Sequence, residues 1–295
     1  MEEKNNGVFS FAEKDGRIII TKYMLPCEEV VIPDQVEGMP VTELGDYVFC
    51  GHCCKRVFLP KELKKIGRYG FYNCRNLTEL SFYSNFSDIG TGAFTGCHQI
   101  HRLEITMDRE DTCLKEILSE VGEELLVRIK GIMDAMLMFP EYYEEGVENT
   151  PARILMTQIH GSGLYYRNCF QGKKFNFAEY DKRFEMACAQ ESPAFLTDLV
   201  YGRLAFPEGL TPNAKLEYET YLQSHELEMA LSFIKNNREE ELEWLLQTYP
   251  LGKDKKEEFC CLTDAASAQN NPSVTGLLME YQRVHFPAKR RSFEL

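Results

Sequence analysis

The chain has 295 residues, 44% hydrophobic and 27% charged, which is enough for two domains with buried cores. Its 33 Lys and Arg against 46 Asp and Glu give a net charge of −13, which argues against nucleic acid as a partner because nucleic acid selects basic surfaces. No apolar run reaches the ~18 residues of a membrane-spanning helix. The acidic start MEEKNNG is unlike a secretory signal. We therefore expect a cytoplasmic protein with no membrane insertion.

The first predicted element is a β-hairpin. Phe9-Ser-Phe11 and Ile18-Ile-Ile20 have strand composition and flank Asp15-Gly16, a dipeptide that favours a two-residue turn. Because the end of a repeat array needs a cover, we expect this hairpin to cap the segment that follows.

Residues 41–105 contain three copies of one pattern, spaced by 22 and then 23 residues. Each copy has a glycine and, four residues later, a phenylalanine; a short strand with alternating apolar residues follows. One such unit cannot bury its own apolar face, so the units must stack with the phenylalanine rings inside. We interpret the glycines as turn positions with a positive φ angle. The repeated positions are Gly45, Gly67 and Gly90, with Phe49, Phe71 and Phe94.

This pattern resembles the BspA-like leucine-rich repeat, whose units read approximately I-G-x-x-A-F-x-x-C-x-x-L-x-x-L-x-I-P. The resemblance covers residues 30–105, with His52 in place of the cysteine in the first copy. It implies a short β-solenoid that binds a protein or ligand and has no catalytic role. Many members are thought to act as surface adhesins, and that is the third function considered.

The solvent-facing strand positions form the first candidate site. One aromatic side chain and mixed charges spread over four strands, ~19 Å, suit a peptide or the edge of a protein. The alternative is that these are ordinary solvated strand residues. By the alternation of the strands, the positions are Arg56, Phe58, Glu79, Ser81, Arg102 and Glu104.

From residue 108 onward the apolar spacing becomes helical, which predicts a segregated α+β architecture. We expect a leucine-rich repeat domain with its hairpin cap in residues 1–107 and an all-α domain in residues 108–295. An apolar stripe from Leu114 through Leu125 and Ile129 to Met136 predicts its first helices. Four pairs of a capping residue and a proline mark later helix starts, at Thr150-Pro151, Ser192-Pro193, Thr211-Pro212 and Asn271-Pro272.

Residues 211–286 predict a stacked helical array. The run A-A-S-A-Q-N-N-P-x-V-x-x-L-L-M-E-Y, from Ala265 to Tyr281, resembles an ankyrin unit without the ankyrin signature. Residues 111–295 carry 20 basic and 30 acidic side chains, so this half holds most of the negative charge.

An acidic, aromatic segment from Phe139 to Arg153 is the second candidate site. Tyr142, Tyr143 and Glu144 suit a basic partner. A solvated linker and a catalytic carboxylate pair are the alternatives.

The alternative function is an enzyme or small-molecule sensor with an apolar pocket within residues 139–206. His160-Gly-Ser-Gly163 is interpreted as the end of a helix over residues 151–159 rather than as a phosphate loop. The polar groups expected to converge on the pocket are Glu144, Arg153, His160, Tyr166 and Arg167.

The eleven cysteines, an odd number, predict free and mostly buried thiols. Residues 50–54 read Cys-Gly-His-Cys-Cys, but a structural zinc site needs a second, matching pair of ligands. We expect no metal and no other cofactor. The preferred interpretation is a non-catalytic module or scaffold that binds another protein or peptide through the repeat surface and the acidic helical array.

Overall fold

The structure is a computed structural model that describes residues 3–86, 88–110, 112–149, 154–251 and 255–286. The chain divides into two compact units, Met1–Ala214 and Lys215–Leu295. The strands are β1 (Glu3–Asn5), β2 (Phe9–Lys14), β3 (Arg17–Tyr23), β4 (Glu29–Val31), β5 (Gln35–Val36), β6 (Met39–Leu44), β7 (Arg56–Phe58), β8 (Lys65–Ile66), β9 (Glu79–Tyr83), β10 (Asp88–Ile89), β11 (Arg102–Met107), β12 (Leu125–Gly131), β13 (Ala135–Phe139), β14 (Tyr143–Asn149), β15 (Ile154–His160), β16 (Phe170–Gln171) and β17 (Lys174–Phe175). The helices are α1 (Leu114–Glu120), α2 (Gly163–Arg167), α3 (Phe177–Asp181), α4 (Phe184–Gln190), α5 (Pro193–Ala205), α6 (Pro212–Lys235), α7 (Glu239–Thr248), α8 (Lys256–Ala268) and α9 (Pro272–His285).

The first unit is built on a β-solenoid of about five turns. Strands β4, β7, β9, β11 and β12 lie parallel and adjacent, and β13 closes this sheet antiparallel to β12. Val57, Leu80 and Leu103 pair in register and are buried, because alternate residues of each strand face the interior. The predicted order, a β-solenoid followed by helices, is confirmed.

The N-terminal hairpin forms as predicted. Strands β2 and β3 pair antiparallel, and both Asp15 and Gly16 have the positive φ angles, 52° and 70°, that a tight hairpin turn requires. Strands β6, β8 and β10 form a second parallel sheet of the solenoid. Strand β3 runs parallel to β6, so the hairpin extends this second sheet at its first turn.

A column of stacked rings fills the solenoid interior. The rings of Phe49 and Phe71 are 4.9 Å apart between centroids, and those of Phe71 and Phe94 are 5.4 Å apart. The planes are within 4° of parallel, because successive turns place the rings at equivalent positions of the repeat. Tyr23 extends the column from β3, 5.1 Å from Phe49. The predicted stacking is confirmed.

The repeated glycines allow close approach between turns, so the prediction of positive φ at these positions was wrong. A Cβ atom on Gly67 would lie 2.5 Å from the carbonyl carbon of Gly45, and one on Gly90 would lie 2.5 Å from that of Gly67. Positive φ angles recur two residues later instead, at Tyr47, Tyr69 and Gly92.

The helical stripe predicted over residues 114–136 was wrong beyond α1. Leu125, Val127 and Ile129 also alternate with period two, and all three are buried in β12. Strand β12 pairs with β11 because the open edge of the sheet offers unpaired main-chain groups. This part of the predicted all-α region is therefore the fifth solenoid strand and its antiparallel cover.

The helix predicted over residues 151–159 was also wrong, because Ile154–His160 pair antiparallel with Tyr143–Asn149 as a hairpin. Thr150-Pro151 lies outside the described residues. The other three caps are confirmed: the side-chain oxygens of Ser192, Thr211 and Asn271 accept main-chain hydrogen bonds at the starts of α5, α6 and α9.

Helix α5 packs against β13 and anchors a buried ion pair. Arg203 is fully buried and binds Asp181 with two hydrogen bonds, of 2.8 Å from Nε and 3.0 Å from Nη2. Its Nη2 also donates to the carbonyl oxygen of Glu208 at 3.0 Å. Such a pair orients α5 only while both partners are present.

The second unit is helical. Asn237 and Asn270 occupy the α6–α7 and α8–α9 turns, 33 residues apart, and both have positive φ angles, 53° and 52°. Asn271 Nδ2 donates to Asn237 Oδ1 at 3.2 Å, which ties the two turns together. Among the described residues, no helix combines the length and the apolar character needed to cross a membrane.

Candidate functional site

One row of solvent-facing side chains crosses four strands of the parallel sheet. Val31 of β4 pairs with Phe58 of β7, Phe58 with Ser81 of β9, and Ser81 with Glu104 of β11. We call these four residues the central row. Since neighbouring strands lie ~4.8 Å apart, the row is ~14 Å long.

A second row, of alternating charge, lies two residues earlier on the same strands. Glu29 pairs in register with Arg56, Arg56 with Glu79, and Glu79 with Arg102. We call these four residues the charged row. Both rows face away from the core because the residues between them are buried. The structure thus places all six solvent-facing positions named from the sequence on one face of the sheet.

A groove of about 370 Å³ runs along the ends of these strands. Its size falls in the range of small binding clefts in proteins. Val31, which is 64% exposed, contributes an aliphatic surface that is open to solvent. The other side chains that line it beside the central row include Pro33, Asp34, Tyr83 and Thr106.

Sequence reasoning missed Val31, Asp34 and Tyr83 in this groove. Tyr83 continues the alternation that begins at Ser81, and this signal was available in the strand pattern. Asp34 follows the end of β4, and no periodicity predicts its position. It lies at the groove because its Oδ1 accepts the main-chain N–H of Lys61, 2.7 Å away, from the loop after the next strand.

Most charges on this face are already paired. Arg56 Nη2 lies 2.6 Å from Glu29, and Arg102 Nη2 lies 2.7 Å from Glu104. The hydrogen bond from Arg102 lowers the pKa of Glu104, and Lys130, 3.7 Å away, acts in the same direction. Glu104 is therefore an anion at neutral pH, held by its own neighbours.

The chain itself covers the far end of the sheet. Arg128 of β12 pairs with Glu104 and continues the line of the central row. Its guanidinium lies 4.0 Å from the centroid of the Phe206 ring and forms an ion pair of 2.5 Å with Asp134. The open part of the face is therefore the part formed by β4, β7, β9 and β11.

The second candidate site lies on a separate two-stranded sheet. Tyr143 begins β14, is 56% exposed and stacks on the His160 ring at 4.6 Å. Glu144 is exposed beside it, and the guanidinium of Arg167 lies 5.0 Å from the centroid of the Tyr142 ring. The structure therefore does not bring Tyr142, Tyr143 and Glu144 onto the face of the solenoid sheet.

The side chains expected to converge on a pocket in residues 139–206 take separate roles. Arg153 lies outside the described residues. Tyr166 is fully buried, whereas Glu144 is exposed, and His160 lies 3.1 Å from Glu145.

Arg167 is a structural residue. Its guanidinium is buried and donates to main-chain carbonyl oxygens, and burial lowers its pKa to about 10. Because its guanidinium donates to these carbonyl oxygens, Arg167 holds the surrounding loops together instead of binding a substrate. The carbonyl oxygens that accept from it belong to Val121, Glu123, Pro140 and Gly163.

The segment His160–Gly163 runs from the last residue of β15 to the first residue of the five-residue helix α2, so the prediction that its glycines end a helix was wrong. A Cβ atom on Gly163 would collide with the carbonyl oxygen of Pro140, and one on Gly161 with that of Glu141. Ser162 Oγ donates to a carboxylate oxygen of Glu191. These glycines allow main-chain packing, and the nearby carboxylate disfavours phosphate.

All eleven cysteines are free thiols, but only five of them are buried. Cys50 and Cys53 are exposed and Cys54 is buried, while His52 Nε2 makes a 2.7 Å hydrogen bond to the carbonyl oxygen of Leu25. Within the described part of the chain, no three His, Cys, Asp or Glu residues are grouped as metal ligands.

A sequence model of the BspA type leucine-rich repeat region matches residues 23–118 in six copies. A leucine-rich cell surface protein from Faecalibacterium prausnitzii is 27% identical over 38% of this chain and 35% of its own, with a TM-score of 0.32. A leucine-rich repeat protein from Bacteroides capillosus is 23% identical over 44% of this chain and 99% of its own, with a TM-score of 0.35. This chain thus spans about a third of the first protein and nearly all of the second. No curated protein gives a significant match.

Proposed function

Residues 23–118 form a BspA-type leucine-rich repeat region, and on this premise we propose that the protein is a non-catalytic interaction module that binds another protein through the open face of its parallel sheet. The observation that carries the proposal is the central row, which sets the exposed Val31 and the half-buried Phe58 beside polar side chains in a groove. Protein interfaces combine an apolar centre with a polar rim in this way.

The rigidity of the face supports binding. The central row stands on strands whose opposite side chains form the buried core, so its positions are fixed before a partner arrives. A pre-formed surface loses little conformational entropy on binding.

The charges of the face favour binding over acid–base catalysis. A catalytic acid needs a raised pKa, whereas Arg102 lowers the pKa of Glu104. The acid on the outermost strand of the face, Glu29, is bound to Arg56 at 2.6 Å. Both carboxylates are therefore held in ion pairs with arginines of the same face.

Site-specific photocrosslinking in the native host tests the proposal. A photoreactive phenylalanine replaces Ser81 in the central row or, as a control, Lys14 at the exposed end of β2. We expect a discrete crosslinked protein from position 81 that is absent from position 14 and is lost when Phe58→Ala is added. Equal crosslinking from both positions, or crosslinking that survives Phe58→Ala, would contradict a partner site on this face.

A further inference from the structure

Helices α7 and α9 of the second unit lie side by side and run in the same direction. At their starts, Asn271 donates a hydrogen bond to Asn237, which is 34 residues earlier in the chain. Ser273 donates to Glu239, and this pair is also 34 residues apart. Because the offset is constant, the two helices keep one register and form the walls of a single groove.

The groove has a volume of about 290 Å³ and an apolar lining. Along α9 the apolar lining residues are spaced by four and then three positions, the spacing of the stripe that a helix presents to a partner. Val284 is 57% exposed, so part of this stripe is open to solvent. His285 stacks on Tyr281 at 4.2 Å and adds its ring to the end of the groove. The apolar side chains that line the groove are Leu246, Leu277, Tyr281 and Val284.

The walls of the groove favour a helix as its occupant. The main-chain groups of α7 and α9 bond within each helix, so an extended segment would find few partners for its own main chain. A helix brings its main-chain hydrogen bonds with it and packs its rows of side chains between those of its neighbours. From Leu277 to Val284 the groove is ~11 Å long, which matches two turns of a helix.

The charge left over at the rim of the groove is negative. Glu280 is already paired with Arg283 at 2.6 Å. Glu243 accepts only an amide N–H from Gln247, 2.8 Å away, which leaves its charge uncompensated. The exposed carboxylate of Glu240 lies one turn earlier on α7 and has no hydrogen-bond or ion-pair partner among the described residues. A basic side chain would therefore be attracted to the α7 side of the rim.

We propose that this groove binds an amphipathic helix of another protein. The apolar face of the bound helix contacts Tyr281 and Val284, and a basic side chain beside that face pairs with Glu240 or Glu243. Two copies of this chain docked groove to groove would bring the same acidic rims together, and like charges oppose association. The groove is a different surface from the sheet face of the first unit, so the two binding proposals are independent.

Selection from a library of helical peptides displayed on phage, against the full 295-residue protein, tests the proposal. The strongest peptide is then measured by fluorescence anisotropy with wild type and Val284→Lys. The matched control is Met279→Lys, which changes a 63% exposed side chain of the same helix outside the groove. We expect ~10-fold weaker binding by Val284→Lys and no change with Met279→Lys, because binding buries the valine. Thermal melts confirm that each variant is folded.

Two further measurements test the charge and the helix. Glu240→Gln/Glu243→Gln should weaken binding ~3-fold at low salt but not at high salt, because salt screens exposed charges. The control Glu13→Gln/Glu217→Gln removes two exposed carboxylates elsewhere and should leave binding unchanged. A proline placed in the middle of the peptide should abolish binding, because proline breaks a helix.

Failure to select any peptide would overturn the proposal, as would acidic peptides or peptides that tolerate the proline. Equal binding by wild type and Val284→Lys would place the peptide elsewhere and would also refute it. Self-association in sedimentation that is lost in Val284→Lys and kept in Met279→Lys would replace the partner helix by a second copy. Crosslinking from position 81 reports on the sheet face alone, so a failure of either proposal is recognised separately.

Discussion

The buried pair of Arg203 and Asp181 shows what sequence patterns cannot reveal at the scale of single residues. The two residues are 22 positions apart, and neither belongs to a motif that predicts their contact. Phe58, Ser81 and Glu104 were found because strand alternation is local, whereas Asp34 was missed because its place depends on the fold of a loop. Local periodicity predicts which way a side chain points, and tertiary packing decides which partner it meets.

Replacing Arg203 by Met should lower the free energy of unfolding by about 3–5 kcal/mol, because it leaves the buried carboxylate of Asp181 without a cation. Urea unfolding followed by circular dichroism measures the change. Adding Asp181→Leu should recover most of the loss. Arg283→Met removes an exposed pair with Glu280 and should have little effect. Equal losses from both arginines would show that burial does not set the value of the pair.

The depressed pKa of Glu104 gives a pH dependence with a definite sign. Its folded pKa lies below the ordinary value of 4.5, so its ion pairs stabilise the fold above that pH and are lost as the pH falls through the folded pKa. We expect Glu104→Gln to be less stable than wild type at neutral pH and equal to it in strong acid. Urea unfolding at a series of pH values measures this, and a difference that grows in acid would contradict it.

At the scale of elements, the repeat turns and the hairpin were predictable because period-two strands and a turn dipeptide are local signals. Strand β12 was missed because Leu125 and Ile129, four residues apart, fit a helix as well as a strand. The open edge of β11 decides between them by offering main-chain partners. The hairpin of β14 and β15 was missed because its pairing joins residues that no local spacing connects.

Gly67→Ala should destabilise the solenoid by about 1–3 kcal/mol, because its Cβ atom would overlap the main chain of the preceding turn. Gly146→Ala in β14 is the matched control, since no atom lies within 4 Å of its Cβ position. Denaturant unfolding of both variants measures the difference. A Gly67→Ala protein as stable as the control would show that the turns can move apart at no cost.

At the scale of the whole molecule, the ring column couples each turn of the solenoid to the next. Phe71 contacts a ring on either side, so Phe71→Ala should cost about 3–5 kcal/mol, and Phe71→Leu less. Hydrogen exchange should show lost protection in the turns of Phe49 and Phe94 as well as in its own, because stability in a solenoid includes the interfaces between neighbouring units. Loss confined to the turn of Phe71 would contradict this coupling.

Because the strands pair in register, the number of solenoid turns sets the length of the open face. Each turn adds one residue to the central row, so inserting or removing a complete turn would lengthen or shorten the row by one position and leave the others in place. A single inserted residue within a strand would instead rotate every later side chain of that strand to the opposite face. The length of the open face can therefore change only in whole steps of one turn.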